Sequence, residues 1–292
     1  MASLDAGDEV IIPAPYWVSY PDMVLANEGA PVIVPSSEAE GFKVGPEAIE
    51  KAITPRTKWL VLNIPGNPSG AAYSANEWQA MAAMLRRHPH VRILMDDIYD
   101  QVWFDDQPIQ RLGVVAPDLV DRIFAVNGVS KTYAMTGWRI GWGIGEPALI
   151  AAINTLQSQM SSCPSSISQA AAAAALEGPQ GFPPEASAVY RRRRDMAAAI
   201  LKAAPGLTCL VPSGAFYLFP GCAGLIGKTT PEGKRLDTDR DVVLYLLEHA
   251  GVATVHGAAY GLSPHFRLSI ATSDATLREG CERIARAAAA LR

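Results

Sequence analysis

The chain has 292 residues, enough for one large domain or two ordinary ones. Hydrophobic residues make up 49% and charged residues 18%, a balance that favours a packed core over disorder. The net charge of -4 gives no reason to expect nucleic acid or an anionic membrane as partner, although a phosphate-bearing small molecule needs only a local site. Cys163, Cys209, Cys222 and Cys281 form no C-x-x-C, and the histidines form no H-x-x-x-H. A metal site is therefore not expected, and a reducing cytosol fits best. His88 and His90 flank Pro89 in what reads as a solvated turn. No run is long and apolar enough to span a bilayer, and Met1–Val10 has neither the basic end nor the apolar run of a signal peptide.

In chain order, short apolar runs alternate with helical patterns. The runs are Glu9–Pro13, Pro31–Pro35, Lys58–Ile64, Val91–Met95, Arg122–Val126 and Arg139–Ile144. Several are near-continuous Val, Ile and Leu, as strands buried on both faces require. Asn76–Arg87 and Pro147–Gln159 carry apolar residues at helical spacing. This alternation predicts an α/β domain with a mostly parallel sheet. The Ala-rich stretch Ala170–Ala175 reads as a close-packed helix, and Gly178–Pro184 as a break. A long helix is expected over Glu185–Ala204, with Val189, Met196, Ile200 and Leu201 inward and Arg191–Arg194 on its wet side. A strand-like stretch at Ala215–Phe219, a polar loop at Gly227–Asp239 and a helix at Asp241–Ala250 stopped by Gly251 follow. Phe266–Ile270 reads as a strand and Ala275–Leu291 as a final helix. The expected division is a large domain over 1–184 and a smaller α+β domain over 185–292.

The stretch richest in chemistry is Asn127-Gly-Val-Ser-Lys-Thr-Tyr-Ala-Met-Thr-Gly-Trp-Arg-Ile-Gly141. A lone lysine is most often a surface charge. Lys131 follows a buried strand at its carboxyl end, where open α/β sheets place their ligands. A glycine-spaced strand is expected to carry Arg139. Gly141, Gly143 and Gly145 form G-x-G-x-G rather than a dinucleotide fingerprint, and no acidic ribose partner is evident.

This segment resembles the cofactor-lysine signature of the class I aminotransferases, and the resemblance runs from Gly7 to the C-terminus. Through Pro13-Ala-Pro-Tyr-Trp-Val-Ser-Tyr-Pro21 it is most similar to the bacterial aspartate aminotransferase subgroup. The resemblance implies pyridoxal 5'-phosphate as cofactor, carried by Lys131 as a Schiff base, with the amine also moving the proton between substrate and cofactor. It implies that Arg139 and Ser130 lie at the cofactor phosphate, and a bidentate guanidinium suits a dianion. Asp96 would pair with the pyridine nitrogen; Asp97 is its rival, and an N-cap is the bland alternative. Tyr99 would hydrogen-bond the cofactor's phenolic oxygen, and Trp17 would stack on its ring. Asn67, in Asn63-Ile-Pro-Gly-Asn-Pro-Ser-Gly70, would contact both the phenolic oxygen and the substrate carboxylate side, with Ser69 where the family usually has Thr. Arg267 would clamp the substrate α-carboxylate; alternation sets His265, Arg267 and Ser269 opposite Phe266, Leu268 and Ile270. Upstream, His256-Gly-Ala-Ala-Tyr-Gly261 departs from the family's usual Pro-Gly start.

The resemblance further implies a cytoplasmic homodimer acting on an amino acid, first aspartate, and a 2-oxo acid, first 2-oxoglutarate, with aromatic amino acids or prephenate as other substrates. Family members carry a large segment ahead of the position matched by Met1, so Met1 is expected to be an internal methionine. That segment contributes backbone donors to the phosphate, and weakened cofactor affinity and poor dimerisation are expected of the chain as it stands. Two other functions are compatible with these residues: a pyridoxal-dependent β-lyase of the same fold, which would release pyruvate or ammonia, and a non-catalytic aminotransferase-like module. Retention of Lys131, Asp96, Arg139 and Arg267 argues against the second.

Overall fold

The structure, a computed structural model, describes residues 1–292. The chain opens with β1 (Glu9–Ala14), α1 (Ser19–Leu25), β2 (Ala30–Pro35), α2 (Pro46–Ala52), β3 (Thr57–Asn63), α3 (Ala75–Arg87) and β4 (Arg92–Asp96). It continues through the one-turn α4 (Leu112–Val115), β5 (Ile123–Gly128), the short α5 (Val129–Thr132) and β6 (Gly141–Ile144). Three helices follow: α6 (Pro147–Met160), α7 (Ser166–Glu177) and α8 (Phe182–Ala203). Last come β7 (Tyr217–Leu218), α9 (Asp239–Ala250), β8 (Val255–His256), β9 (Phe266–Ser269) and α10 (Asp274–Ala290).

Six strands form one sheet in the order β2-β1-β3-β4-β5-β6, parallel throughout except for the antiparallel β5–β6 pair. The predicted mostly parallel α/β architecture is thus present, and a smaller antiparallel sheet, β7-β9-β8, accompanies it. Strand order reverses between β1 and β3, and such switch points open a crevice at the carboxyl ends of the strands. One face of the large sheet is covered by α2, α3 and α4 through Trp78, Met81, Leu85, Leu60, Ile93 and Met95, all buried. α3 is well specified locally. Ser74 and Glu77 form a reciprocal capping box, and the buried residues Trp78, Met81, Ala82 and Leu85 recur at helical spacing. The opposite face carries a thinner layer around Val10, Ile12, Tyr20, Trp59 and Val61. A separate core joins α8, α9 and α10 to the small sheet through Leu201, Leu246, Phe266 and Ile284. No helix is long and apolar enough to cross a membrane.

Several expectations are corrected. Arg139 is not on a strand: it sits before β6 with φ 56°, in the left-handed region, after a short 3-10 turn. Arg194 does not share the wet side of its neighbours; it is buried, donates to the Pro212 carbonyl at 2.8 Å and lies 4.8 Å from the Phe104 ring centroid. α7 is exposed over most of its length, with only Ala172 buried, because its alanines meet no opposing layer. α8 begins at Phe182 because Pro183 and Pro184 fit a first helical turn, where missing amides cost nothing. Of Ala215–Phe219 only two residues pair as strand, since Ala215 turns the chain with φ 58°. α9 starts at Asp239, two residues early, on a Thr238–Asp241 capping box, and ends at Gly251 with φ 63°. His265, set by alternation opposite Phe266, is itself buried, against Phe42 and Phe219.

Candidate active site

The pairing register brings Asn63 at the end of β3 level with Asp96 at the end of β4, and Asp96 level with Val126 on β5. The loops after β1, β3, β4 and β5 therefore converge on one side of the sheet. They enclose a cavity of 370 Å³ lined by Trp17, Asn67, Asp96, Tyr99, Ser130, Lys131, Arg139 and Arg267, all eight side chains singled out from the sequence. Asn63, Asn127 and Tyr217 line it too.

Lys131 is delivered by the tight passage from β5 into α5. The Asn127 side chain accepts from the Gly128 amide at 2.7 Å. A Cβ at Gly128 would lie 2.7 Å from the Ile140 carbonyl oxygen, so only glycine admits the returning chain. Lys131 is half-buried, with Nζ 5.8 Å from the Phe216 ring centroid. Burial, then the positive charges of Arg139 and Arg267, push its amine below the usual lysine range. A lysine so placed has a larger neutral, nucleophilic fraction. Arg139 is exposed and its guanidinium donates to the Thr136 carbonyl at 3.0 Å.

Asp96 lies on the floor of the cavity. Its Oδ1 accepts from the Ile98 amide at 3.2 Å, and its Oδ2 accepts from the Tyr20 hydroxyl. Burial raises its carboxyl above the ordinary range, and those two donors act against the rise. Asp97 points elsewhere, into a groove of 910 Å³ that it shares with Arg111 and Met95. Burial raises the Asp97 carboxyl to about 6. The structure thus separates the two aspartates and leaves Asp96 with Lys131.

The opposite wall is hydrogen-bonded throughout. The Asn67 amide donates to Asn63 Oδ1 at 2.8 Å, and Asn67 Oδ1 accepts from Arg267 Nη1 at 3.0 Å. The Arg267 guanidinium lies 4.5 Å from the Tyr217 ring centroid and 5.2 Å from that of Tyr260. Tyr99 is buried, and its hydroxyl sits 3.0 Å from that of Tyr217. Trp17 stands at the mouth, 38% exposed, edge-to-face with Tyr20 at 5.4 Å. Sequence reasoning passed over Tyr20, Asn63 and Tyr217. The first two sit inside the motifs that carried Trp17 and Asn67, so their polar tips were the available signal.

The donor set suits an anionic, aromatic aldehyde cofactor. It offers an amine, a half-buried carboxylate, an exposed guanidinium, a serine hydroxyl, a phenol and a flat indole. Residues 1–284 match the aminotransferase class I and II family. The chain is 55% identical over 287 residues to an aspartate aminotransferase of Rhizobium meliloti (strain 1021), covering 98% of this chain and 70% of that protein. It is 51% identical over 291 residues to a probable aspartate/prephenate aminotransferase of Rickettsia bellii, covering 100% and 73%. Among solved structures, the aspartate aminotransferase from Rhizobium meliloti superposes with a TM-score of 0.97 at 54% identity, covering 100% of this chain and 73% of that one. The Thermus thermophilus aspartate aminotransferase with maleate gives 0.87 at 40%, covering 98% and 71%. The chain belongs to the class I and II aminotransferase family and is a transaminase.

Proposed function

We propose that the chain moves an amino group from aspartate to 2-oxoglutarate in two half-reactions, with pyridoxal 5'-phosphate held in the 370 Å³ cavity. The observation that carries this reading is the convergence of Lys131, Asp96 and Arg267 on that one cavity from three distant parts of the chain. Aspartate is the first choice of donor because relatives at 55% and 51% identity are named for it. When bound, pyridoxal phosphate supplies an aldehyde that condenses with amines and a ring that takes up electrons from the substrate α-carbon.

The side chains then divide the work. Lys131 Nζ, half-buried and lowered in pKa by burial, would accept the proton from the substrate α-carbon and hold it on the amine. Asp96, half-buried, would supply a negative charge for a protonated ring nitrogen. Arg139 and Ser130 would hold the phosphate, and Trp17 would cover the ring. Tyr99 and Asn67 would contact the phenolic oxygen. Arg267 binds the α-carboxylate with its planar fork, oriented by Asn67 Oδ1. The same reading divides the chain into units 1–184 and 185–292 joined through α8, and makes the working form a homodimer.

Absorbance of the purified chain mixed with pyridoxal phosphate tests the reading. The expected result is a cofactor band, absent from Lys131→Ala, that aspartate bleaches and 2-oxoglutarate restores. A band that aspartate leaves unchanged overturns the donor assignment. Accumulation of pyruvate or ammonia would identify a lyase instead.

A further inference from the structure

Tyr20 is a buried phenol that meets two parts of the site at once. Its hydroxyl donates to Asp96 Oδ2, and its ring stands edge-to-face against Trp17, centroids 5.4 Å apart at 88°. The ring itself is fixed by Val10, Ile12, Val24 and Val61 beneath it. Asp96 has no ion-pair partner; its two oxygens are met by a phenol and a backbone amide. That choice of donors matters chemically. A lysine or arginine here would cancel the carboxylate charge, whereas a neutral donor stabilises the charge and leaves it available to a second, cationic partner. Burial, then the Asp96 carboxylate, push the Tyr20 phenol well above its ordinary range, so it keeps its proton and remains a donor at any working pH.

We propose that Tyr20 is a positioning residue of the transamination site: its hydroxyl holds Asp96 ionised in one orientation, and its ring sets the tilt of Trp17. The consequence for catalysis rests on the pyridoxal reading of the cavity; the consequence for Asp96 does not. The experiment therefore begins without cofactor. Carboxyl 13C resonances of the aspartate-labelled chain are titrated in wild type and in Tyr20→Phe, with Asp96→Asn to assign the signal. Loss of one hydrogen bond to a charged group corresponds to about one pH unit, so Asp96 should titrate about that much higher in Tyr20→Phe. The ring is tested separately with 5-fluorotryptophan, assigned by Trp17→Phe: the Trp17 19F signal should stay in place in Tyr20→Phe and move in Tyr20→Leu. Pyridoxal phosphate is then added, and Tyr20→Phe should bind it roughly 5- to 10-fold more weakly. An Asp96 titration identical in wild type and Tyr20→Phe overturns the proposal whatever the cofactor does. An Asp96 titration that moves while neither protein forms a cofactor band supports the contact and sinks the pyridoxal reading alone.

Discussion

The two walls of the cavity are built to different standards. On one, Asn67 and Tyr99 are only 5% and 4% exposed, and Arg267 is held between two tyrosine rings with a hydrogen bond to Asn67. On the other, Ser130, Lys131 and Arg139 ride on the β5–β6 connection, and β6 has no buried residue. Arg139 keeps one protein acceptor, a carbonyl three residues away, and Ile144 at the end of β6 is 66% exposed. The wall proposed to meet the ring oxygen and the substrate carboxylate is preorganised, so binding there costs little side-chain ordering. The wall assigned to the phosphate leaves its guanidinium free to turn toward an anion.

The largest expected effect tests what makes the firm wall firm. Trp78 is fully buried beneath β3 and β4, its indole N–H donating to the Gln110 carbonyl at 2.9 Å. Trp78→Ala should lose roughly 3–5 kcal/mol of stability in denaturant titration. A loss below about 1 kcal/mol would show that this wall does not depend on that core. Next, Arg267→Ala should weaken binding of a dicarboxylate such as maleate by roughly 2–4 kcal/mol, read by calorimetry, since it removes the fork and strands Asn67 Oδ1. Unchanged maleate affinity would remove Arg267 from the carboxylate site. Third, Arg139→Ala should leave stability within about 0.5 kcal/mol of wild type, because the side chain is exposed and sparsely bonded. Pyridoxal phosphate affinity should nonetheless fall roughly 10- to 100-fold. A stability loss as large as the affinity loss would make Arg139 a structural residue and erase the contrast between the walls.

What could be read from the sequence follows the same division. Strands β1 and β3 are legible to within a residue or so because burial on both faces writes a continuous apolar run, and β4 because Ile93, Leu94 and Met95 do so over a shorter stretch. All eight predicted site residues line one cavity, most of them carried by motifs that follow the ends of β1, β3, β4 and β5. The misses are contacts between segments far apart in sequence. Tyr20 meets Asp96 across 76 positions and Tyr99 meets Tyr217 across 118, and neither pairing leaves a local pattern. Arg194 looked like its three neighbours because only Phe104 and Pro212, remote in sequence, distinguish it. Arg139 reads as strand from the sequence because the left-handed conformation it adopts is rare for any residue with a Cβ and leaves no local signal.

The smallest expected effect probes a buried edge of the firm wall, two residues before Arg267. His265 stacks on Phe219 at 4.9 Å and meets Phe42 edge-on at 5.4 Å, and neither ring nitrogen has a hydrogen-bond partner. Glu38 Oε2 lies 3.8 Å from Nε2 while accepting from Thr208 Oγ1 at 2.7 Å. Burial pushes the imidazole below its ordinary range, and Glu38 and Asp239 offset this only in part. The unfolded chain, titrating near about 6.5, therefore takes up the proton before the folded one. Stability should be full above that pH, fall as pH drops through it, and level off below the folded value. Denaturant midpoints at about pH 7.5 and about pH 5.5 should differ more in wild type than in His265→Phe, and more still in Glu38→Gln, which removes the nearest offsetting charge. Because the ring abuts the strand of Arg267, maleate affinity should weaken over the same acid range in wild type and not in His265→Phe. An acid slope of equal size in His265→Phe would assign it to another group and leave the firm wall indifferent to pH.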